Sequence, residues 1–182
     1  MKPIIASLFC ALLLGSCGQK KAVPVEEPEA TTQEETSYQP TLAVGTEAPD
    51  FEVADTLSHP IRLSDYRGKF TVVEFWASWC GDCRRETPAV LNLWREYNPK
   101  GVEFVGVSFD HEEAAWRQYL SQNEFPYAQG SNLIKWKENP INEAYGLHWI
   151  PTFFLIGPDS KVVATALTSE ELKPALGKVV AQ

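Results

Sequence analysis

Thr71 to Trp76 is an almost unbroken apolar run, interrupted at Glu74, and it fits a strand buried on both faces. Val102 to Phe109 repeats that pattern. Between them, Arg84 to Tyr97 places Val90, Leu91, Trp94 and Tyr97 on one stripe, which predicts a helix stopped by Asn98-Pro99-Lys100-Gly101. Upstream, Phe51-Glu52-Val53 and Ile61-Arg62-Leu63 alternate as short strands around a turn at Ser58-His59-Pro60. Downstream, Asp110 followed by Glu113 suggests a capping pair opening a helix to about Gln122. Leu133 to Tyr145 reads as short helical pieces around Pro140. Thr152 to Ile156 and Lys161 to Ala166 are strands split by a Gly157-Pro158-Asp159 turn. Thr168 and Glu171 suggest a capping box for a last helix carrying Leu172, Leu176 and Val179, with Pro174 set awkwardly inside it. Strand–helix–strand implies a parallel pair, and the close-set final strands imply an antiparallel hairpin. The expected architecture is therefore α/β, a mixed central sheet with helices on both faces.

The N-terminus follows another rule. Lys2 precedes an apolar stretch from Ile4 to Leu14, too short to span a bilayer but suited to the core of a signal peptide. Leu14-Gly15-Ser16-Cys17 then sets small residues before a cysteine. This resembles a bacterial lipobox, which implies cleavage before Cys17 and lipidation of that residue. Such an anchor holds a protein to a membrane without spanning it. Gly18 to Thr41 is rich in Glu, Pro and Thr, with Tyr38 its only aromatic, and reads as a disordered acidic tether. The expected organisation is a signal peptide at 1–16, a lipidated N-terminus and tether at 17–43, and one domain at 44–182. With 24 acidic against 16 basic residues, a formal charge of −8, the chain lacks the basic surface that nucleic acid requires.

This organisation sharpens the count of four cysteines. Cys10 falls in the removed segment and Cys17 is consumed by lipid, so Cys80 and Cys83 remain as thiols. Trp79-Cys80-Gly81-Asp82-Cys83 lies where a buried strand gives way to a helix. A helix N-terminus carries about half a positive charge and unsatisfied N–H groups, which favour a thiolate. Cys80, the outer residue, is expected to be the nucleophile, and Cys83, one turn inside, the resolving thiol. Zinc is a poor alternative, because His59, His111 and His148 are scattered and no second cysteine pair exists. A purely structural bridge over so short a loop would contribute little. No metal and no cofactor are expected.

The run from Val73 to Cys83, Pro88 five residues later, and Trp149-Ile150-Pro151-Thr152 together resemble the thioredoxin fold. The Val44-Gly45 to Phe51 entry and the Cys83-Arg84-Arg85-Glu86 continuation to Pro88 are similar to the membrane-anchored TlpA/ResA group within it. That resemblance implies a thioredoxin fold with an N-terminal β-hairpin extension and a central helical insertion. It implies a thiol–disulfide oxidoreductase that reduces the disulfides of client proteins, drawing electrons from a membrane thiol donor, in the bacterial envelope facing the periplasm. Maturation of c-type cytochromes is one role of the group. The resemblance also implies that Glu74 handles the proton of Cys83 and that Pro151 is cis. Trp79, Ile150 and Pro151 are then the expected substrate surface. Asp82 stands where thioredoxin usually has proline. Beside both sulfurs its charge would disfavour thiolate, so Gly81 and Asp82 are expected to tune the redox pair. Arg84 and Arg85 could add to thiolate stabilisation or simply form an exposed helix face. Two other functions remain open: a thiol peroxidase of peroxiredoxin type, although Ala77 stands where those enzymes place Thr or Ser, and a non-catalytic peptide-binding module.

Overall fold

A computed structural model describes residues 38–181. The expected signal peptide, the lipidation site Cys17 and the tether up to residue 37 lie outside the described residues. Seven strands form one sheet in the order β2-β1-β5-β4-β3-β6-β7. They are β1 (Glu52–Ala54), β2 (Pro60–Arg62), β3 (Phe70–Trp76), β4 (Val102–Ser108), β5 (Ala128–Ser131), β6 (Thr152–Ile156) and β7 (Val162–Ala166). The helices are α1 (Gly81–Tyr97), α2 (Glu113–Asn123), α3 (Pro140–Tyr145) and α4 (Ser169–Val179), with short 3-10 turns between. β3 pairs in parallel with β4, and β4 with β5, while β6 and β7 run antiparallel and complete the mixed sheet. The N-terminal hairpin β1–β2 extends the sheet through one antiparallel pairing of Ala54 with Ser131.

β3 and β4 carry near-continuous apolar runs because helices cover both sides of them. On one face Val72, Phe104, Phe153 and Leu155 pack against Val90, Leu93 and Tyr97 of α1 and Leu172 and Leu176 of α4. On the other, Phe75 and Phe154 meet Tyr145 of α3, with ring centroids 4.7 and 5.1 Å apart. α2 lies beside α1, where Tyr119 meets Trp76 and the Thr87 hydroxyl.

Several expectations needed correction. β5 has no β-branched or large apolar residue and was not foreseen. On the α1 stripe Val90 and Tyr97 are buried as expected and Leu93 is buried with them, while Leu91 and Trp94 are only partly covered. Asp110 does not cap α2; the N-cap position is Glu112, with no side-chain hydrogen bond. The capping of α4 is as expected: the Thr168 hydroxyl accepts from the Glu171 N–H, and the Glu171 carboxylate accepts from the Leu167 N–H. Pro174 is accommodated within α4. The last residues of the segment read as tether touch the domain. The Thr41 N–H donates to the Gly146 carbonyl at 3.0 Å, and the Tyr38 ring lies on Trp149 at 4.7 Å.

Candidate functional site

The site is the hand-over from β3 to α1. A turn brings the Cys80 N–H onto the Ala77 carbonyl at 3.1 Å. Cys80, with extended backbone, is the N-cap of α1. Its sulfur accepts the Cys83 N–H at 3.2 Å, taking one of the donors that a helix leaves unsatisfied in its first turn. The two cysteines, with Cα atoms 5.3 Å apart, are joined as a disulfide. Cys80 is 7% exposed and Cys83 1%, so Cys80 is the more accessible of the two residues. A sulfur at a helix N-cap is held where a negative charge is stabilised.

The loop before β6 closes the site from the side. The Ile150–Pro151 peptide is cis, and the Ile150 carbonyl oxygen stands 3.4 Å from the Cys80 sulfur. Ile150 and Pro151 are buried. The Thr152 hydroxyl donates to the Trp149 carbonyl at 2.7 Å and braces the same loop. Trp79, the residue before the nucleophilic position, is 51% exposed, a large apolar surface left in water. Its ring centre is 6.5 Å from that of Trp136, which sequence reasoning had not marked. Trp136 is fixed by Phe109 beneath it and by an indole N–H donated to Asn142 at 2.6 Å. Trp79, next to Cys80 in the chain, thus shares an aromatic surface with Trp136.

Asp82 is not a free charge beside the sulfurs. Its carboxylate pairs with the Arg85 guanidinium one turn along α1, which offsets the field expected of it. Arg84 is spent differently, lying over the Tyr119 ring with its guanidinium carbon 5.7 Å from the centroid. A side chain at Gly81 would meet only Arg85, at an ordinary 3.6 Å, so bulk does not demand glycine there.

Glu74 is 2% exposed, in register with Gly106 of β4 and Phe153 of β6. Its side chain therefore lies on the α1 side of the sheet, the side of Phe153. Burial raises its pKa to about 7, a hydrogen bond from Tyr127 works against that rise, and the charge of Glu86 on α1 adds to it. Glu86 is three residues beyond Cys83, about one turn along α1.

Asp110 supports the site from a distance in sequence. Its carboxylate is buried and accepts from the Ser78 N–H at 2.8 Å, the Ser78 hydroxyl at 2.6 Å and the Ser108 hydroxyl at 2.6 Å. It clamps the turn that carries Trp79 and Cys80 to the end of β4. Asp110→Asn replaces one acceptor oxygen by a donor facing hydroxyl and amide protons. We expect it to lower stability by about 1–2 kcal/mol and to speed exchange of the Ser78 amide. Thermal unfolding and amide exchange check this; unchanged protection at Ser78 would show that the clamp is dispensable.

Among the described residues no group of three His, Cys, Asp or Glu side chains could hold a metal ion, and no helix is long and apolar enough to cross a membrane.

A family model described as the AhpC/TSA family matches residues 44–165. The chain is 34% identical over 145 residues to thiol-disulfide oxidoreductase ResA of Bacillus thuringiensis subsp. konkukian, covering 76% of this chain and 79% of that protein. It is 30% identical over 141 residues to the protein of that name in Geobacillus thermodenitrificans, with the same coverage. Among solved structures, the thioredoxin domain of a thiol-disulfide oxidoreductase from Bacteroides vulgatus superposes with a TM-score of 0.71 at 31% identity, over 77% of this chain and 99% of that one. A thiol:disulfide interchange protein from Bacteroides sp. gives 0.69 at 29% identity, over 78% and 92%.

Proposed function

The chain belongs to the AhpC/TSA family and, within it, to the ResA-like thioredoxin-fold thiol–disulfide oxidoreductases, and from that premise we propose that it acts as a reductase of protein disulfides, with Cys80 as nucleophile and Cys83 as resolving thiol. The observation that carries this reading is the Cys80 sulfur itself: N-cap of α1, receiving the Cys83 N–H, and the more exposed of the pair.

In the reduced enzyme the Cys80 thiolate attacks one sulfur of a client disulfide. The client S–S bond breaks, one client thiolate leaves and takes a proton from water, and a mixed disulfide remains on Cys80. Cys83 then gives its proton to Glu74, attacks the Cys80 sulfur and expels the second client thiolate. Two electrons have passed to the client, and the Cys80–Cys83 disulfide is the product. A carboxyl that titrates near neutral pH is suited to receive that proton and release it again. The exposed Trp79 ring offers the client chain a surface beside the reacting sulfur, and the buried Ile150–Pro151 segment would meet the client through its backbone, whose Ile150 carbonyl already stands at that sulfur. The Asp82–Arg85 pair leaves Gly81-Asp82 a smaller part in tuning than an unpaired carboxylate would have.

Disulfide exchange is favoured over peroxide reduction because Ala77, fully buried, gives no hydroxyl three residues before Cys80. A binding module without chemistry has no use for two sulfurs in bonding range. The placement we propose is the bacterial envelope, periplasm-facing. The signal peptide would end at residue 16, Cys17 would carry lipid, residues 17–43 would be the tether, and a membrane thiol donor would reduce the disulfide after each turnover. The support is the apolar stretch and small residues before Cys17.

The test is a trap. Cys83→Ser protein, reduced and exposed to envelope proteins, is expected to accumulate mixed disulfides through Cys80 that reductant releases. Capture of no chain by this variant, with Cys80 alkylatable, would reject the reductase reading.

A further inference from the structure

Glu74 sits where burial disfavours its charge, and the hydrogen bond it accepts there comes from Tyr127. We propose that Tyr127 is the positioning residue for Glu74: its hydroxyl orients the carboxylate and sets that group's affinity for a proton, on a ring held by the packing around it. This deepens the reading of Glu74 as the base for Cys83, and its first test does not depend on that reading.

The sheet register brings these side chains together. Glu74 of β3, Gly106 of β4 and Gln129 of β5 stand in one row across three parallel strands, and Trp76 is two residues along β3 on the same face. Gly106 is the gap that makes the row continuous. A Cβ there would stand 2.6 Å from both the amide carbon and the amide nitrogen of Gln129, so only glycine lets that amide lie across β4. The Trp76 indole N–H donates to the Gln129 carbonyl oxygen at 3.0 Å. An indole is a donor only, so this bond decides which end of the Gln129 amide is oxygen. The Gln129 nitrogen is buried without a hydrogen-bond partner. The Tyr127 hydroxyl donates to Glu74 Oε2 at 2.8 Å. Phe104 and Phe125 fix the Tyr127 ring, each with its centroid 5.7 Å away.

The Tyr127 hydroxyl proton is thus aimed at one carboxylate oxygen, in a site that water does not reach. With Oε2 held by Tyr127, Oε1 is the oxygen left to take a proton. The opposing influences are few. Glu86 approaches from α1 with like charge, and Cys83 on the same helix is uncharged in the disulfide. β4 and β6 present Gly106 and Phe153, which carry no charge. On the far side, Tyr127 and Gln129 line a cleft of about 410 Å3 whose walls include Asp55, His59 and Glu124. Tyr127 itself stays protonated, because burial and the neighbouring Glu74 charge hold its pKa well above the usual tyrosine value.

The experiment follows the Glu74 carboxyl carbon by 13C NMR against pH in the full-length disulfide-bonded protein. Tyr127→Phe removes the donor and keeps the ring, and should raise the Glu74 midpoint by about one pH unit or more. A Tyr127→Phe midpoint within about 0.3 pH unit of wild type overturns the proposal. If Tyr127→Phe does not fold, replacing tyrosine by 3-fluorotyrosine, whose hydroxyl is the stronger donor, should lower the Glu74 midpoint, and an unmoved midpoint overturns the proposal. The pH profile of mixed-disulfide resolution separates the two readings. If the carboxyl midpoint moves in Tyr127→Phe while the resolution profile does not, the role of Tyr127 stands and Glu74 is not the base. If Glu74→Gln alters that profile but Tyr127→Phe leaves both the profile and the midpoint in place, Glu74 is the base and Tyr127 does not position it.

Discussion

Replacing Cys80 with serine is expected to lower the rate of disulfide exchange by about 10³-fold or more while leaving a folded protein. The rate falls because a serine hydroxyl is hardly ionised at neutral pH and cannot form the mixed disulfide. The fold survives because the helix keeps its cap. Serine is among the favoured N-cap residues, and its oxygen can accept the Cys83 N–H that the sulfur accepts now. The lost cross-link closes a sequence separation of only 3, so its contribution is about 2 kcal/mol or less. Turnover of an insulin-like disulfide substrate and thermal unfolding of both proteins check the two halves. A serine variant working within about tenfold of wild type would remove Cys80 from the chemistry.

The same physics explains which parts of the molecule could be read from sequence. β3 and β4 were legible because strands covered on both faces must be continuously apolar, and Glu74 was legible because it breaks that rule. The site at Cys80 was legible because a strand–helix boundary and a CxxC spacing coincide within a few residues. β5 was not. Ala128–Ser131 has no intrinsic strand preference, and it extends only because β4 and β1 offer partners on its two sides. Gly130 also makes room there, since a Cβ would stand 3.2 Å from the Ile61 side chain.

Asp110 failed for a related reason. Read locally, an acidic residue three before a glutamate is a helix cap. In the fold, the Ser78 amide and two hydroxyls compete for its carboxylate and win, although Ser78 is 32 residues away in sequence. Tyr127 reaches Glu74 across a separation of 53, and no local pattern announces that. The residues proposed to do the chemistry were visible locally, whereas those that support them are assembled by sheet register.

Glu74→Gln should move function and stability in opposite directions. Burial pushes the folded carboxyl up to about 7 from its ordinary 4.5, so the folded state binds the proton more tightly than the unfolded chain. The stability that belongs to the protonated form is therefore fully present below pH 4.5 and is lost as pH rises through 7. By pH 8 the cost of the buried charge is about 3 kcal/mol. Glutamine carries no charge, and its carbonyl can still accept the Tyr127 hydroxyl. The variant should match wild type in acid and gain on it steadily from about pH 4.5 to 8, as read from urea unfolding at several pH values. Over the same range, resolution of the mixed disulfide should slow by about 10²-fold, because Cys83 loses its proton acceptor, while the attack by Cys80 is unchanged. A stability difference that is flat with pH would mean that Glu74 is not buried as a titrating acid. Unslowed resolution, with the stability gain present, would mean that the buried charge is maintained for something other than the proton of Cys83.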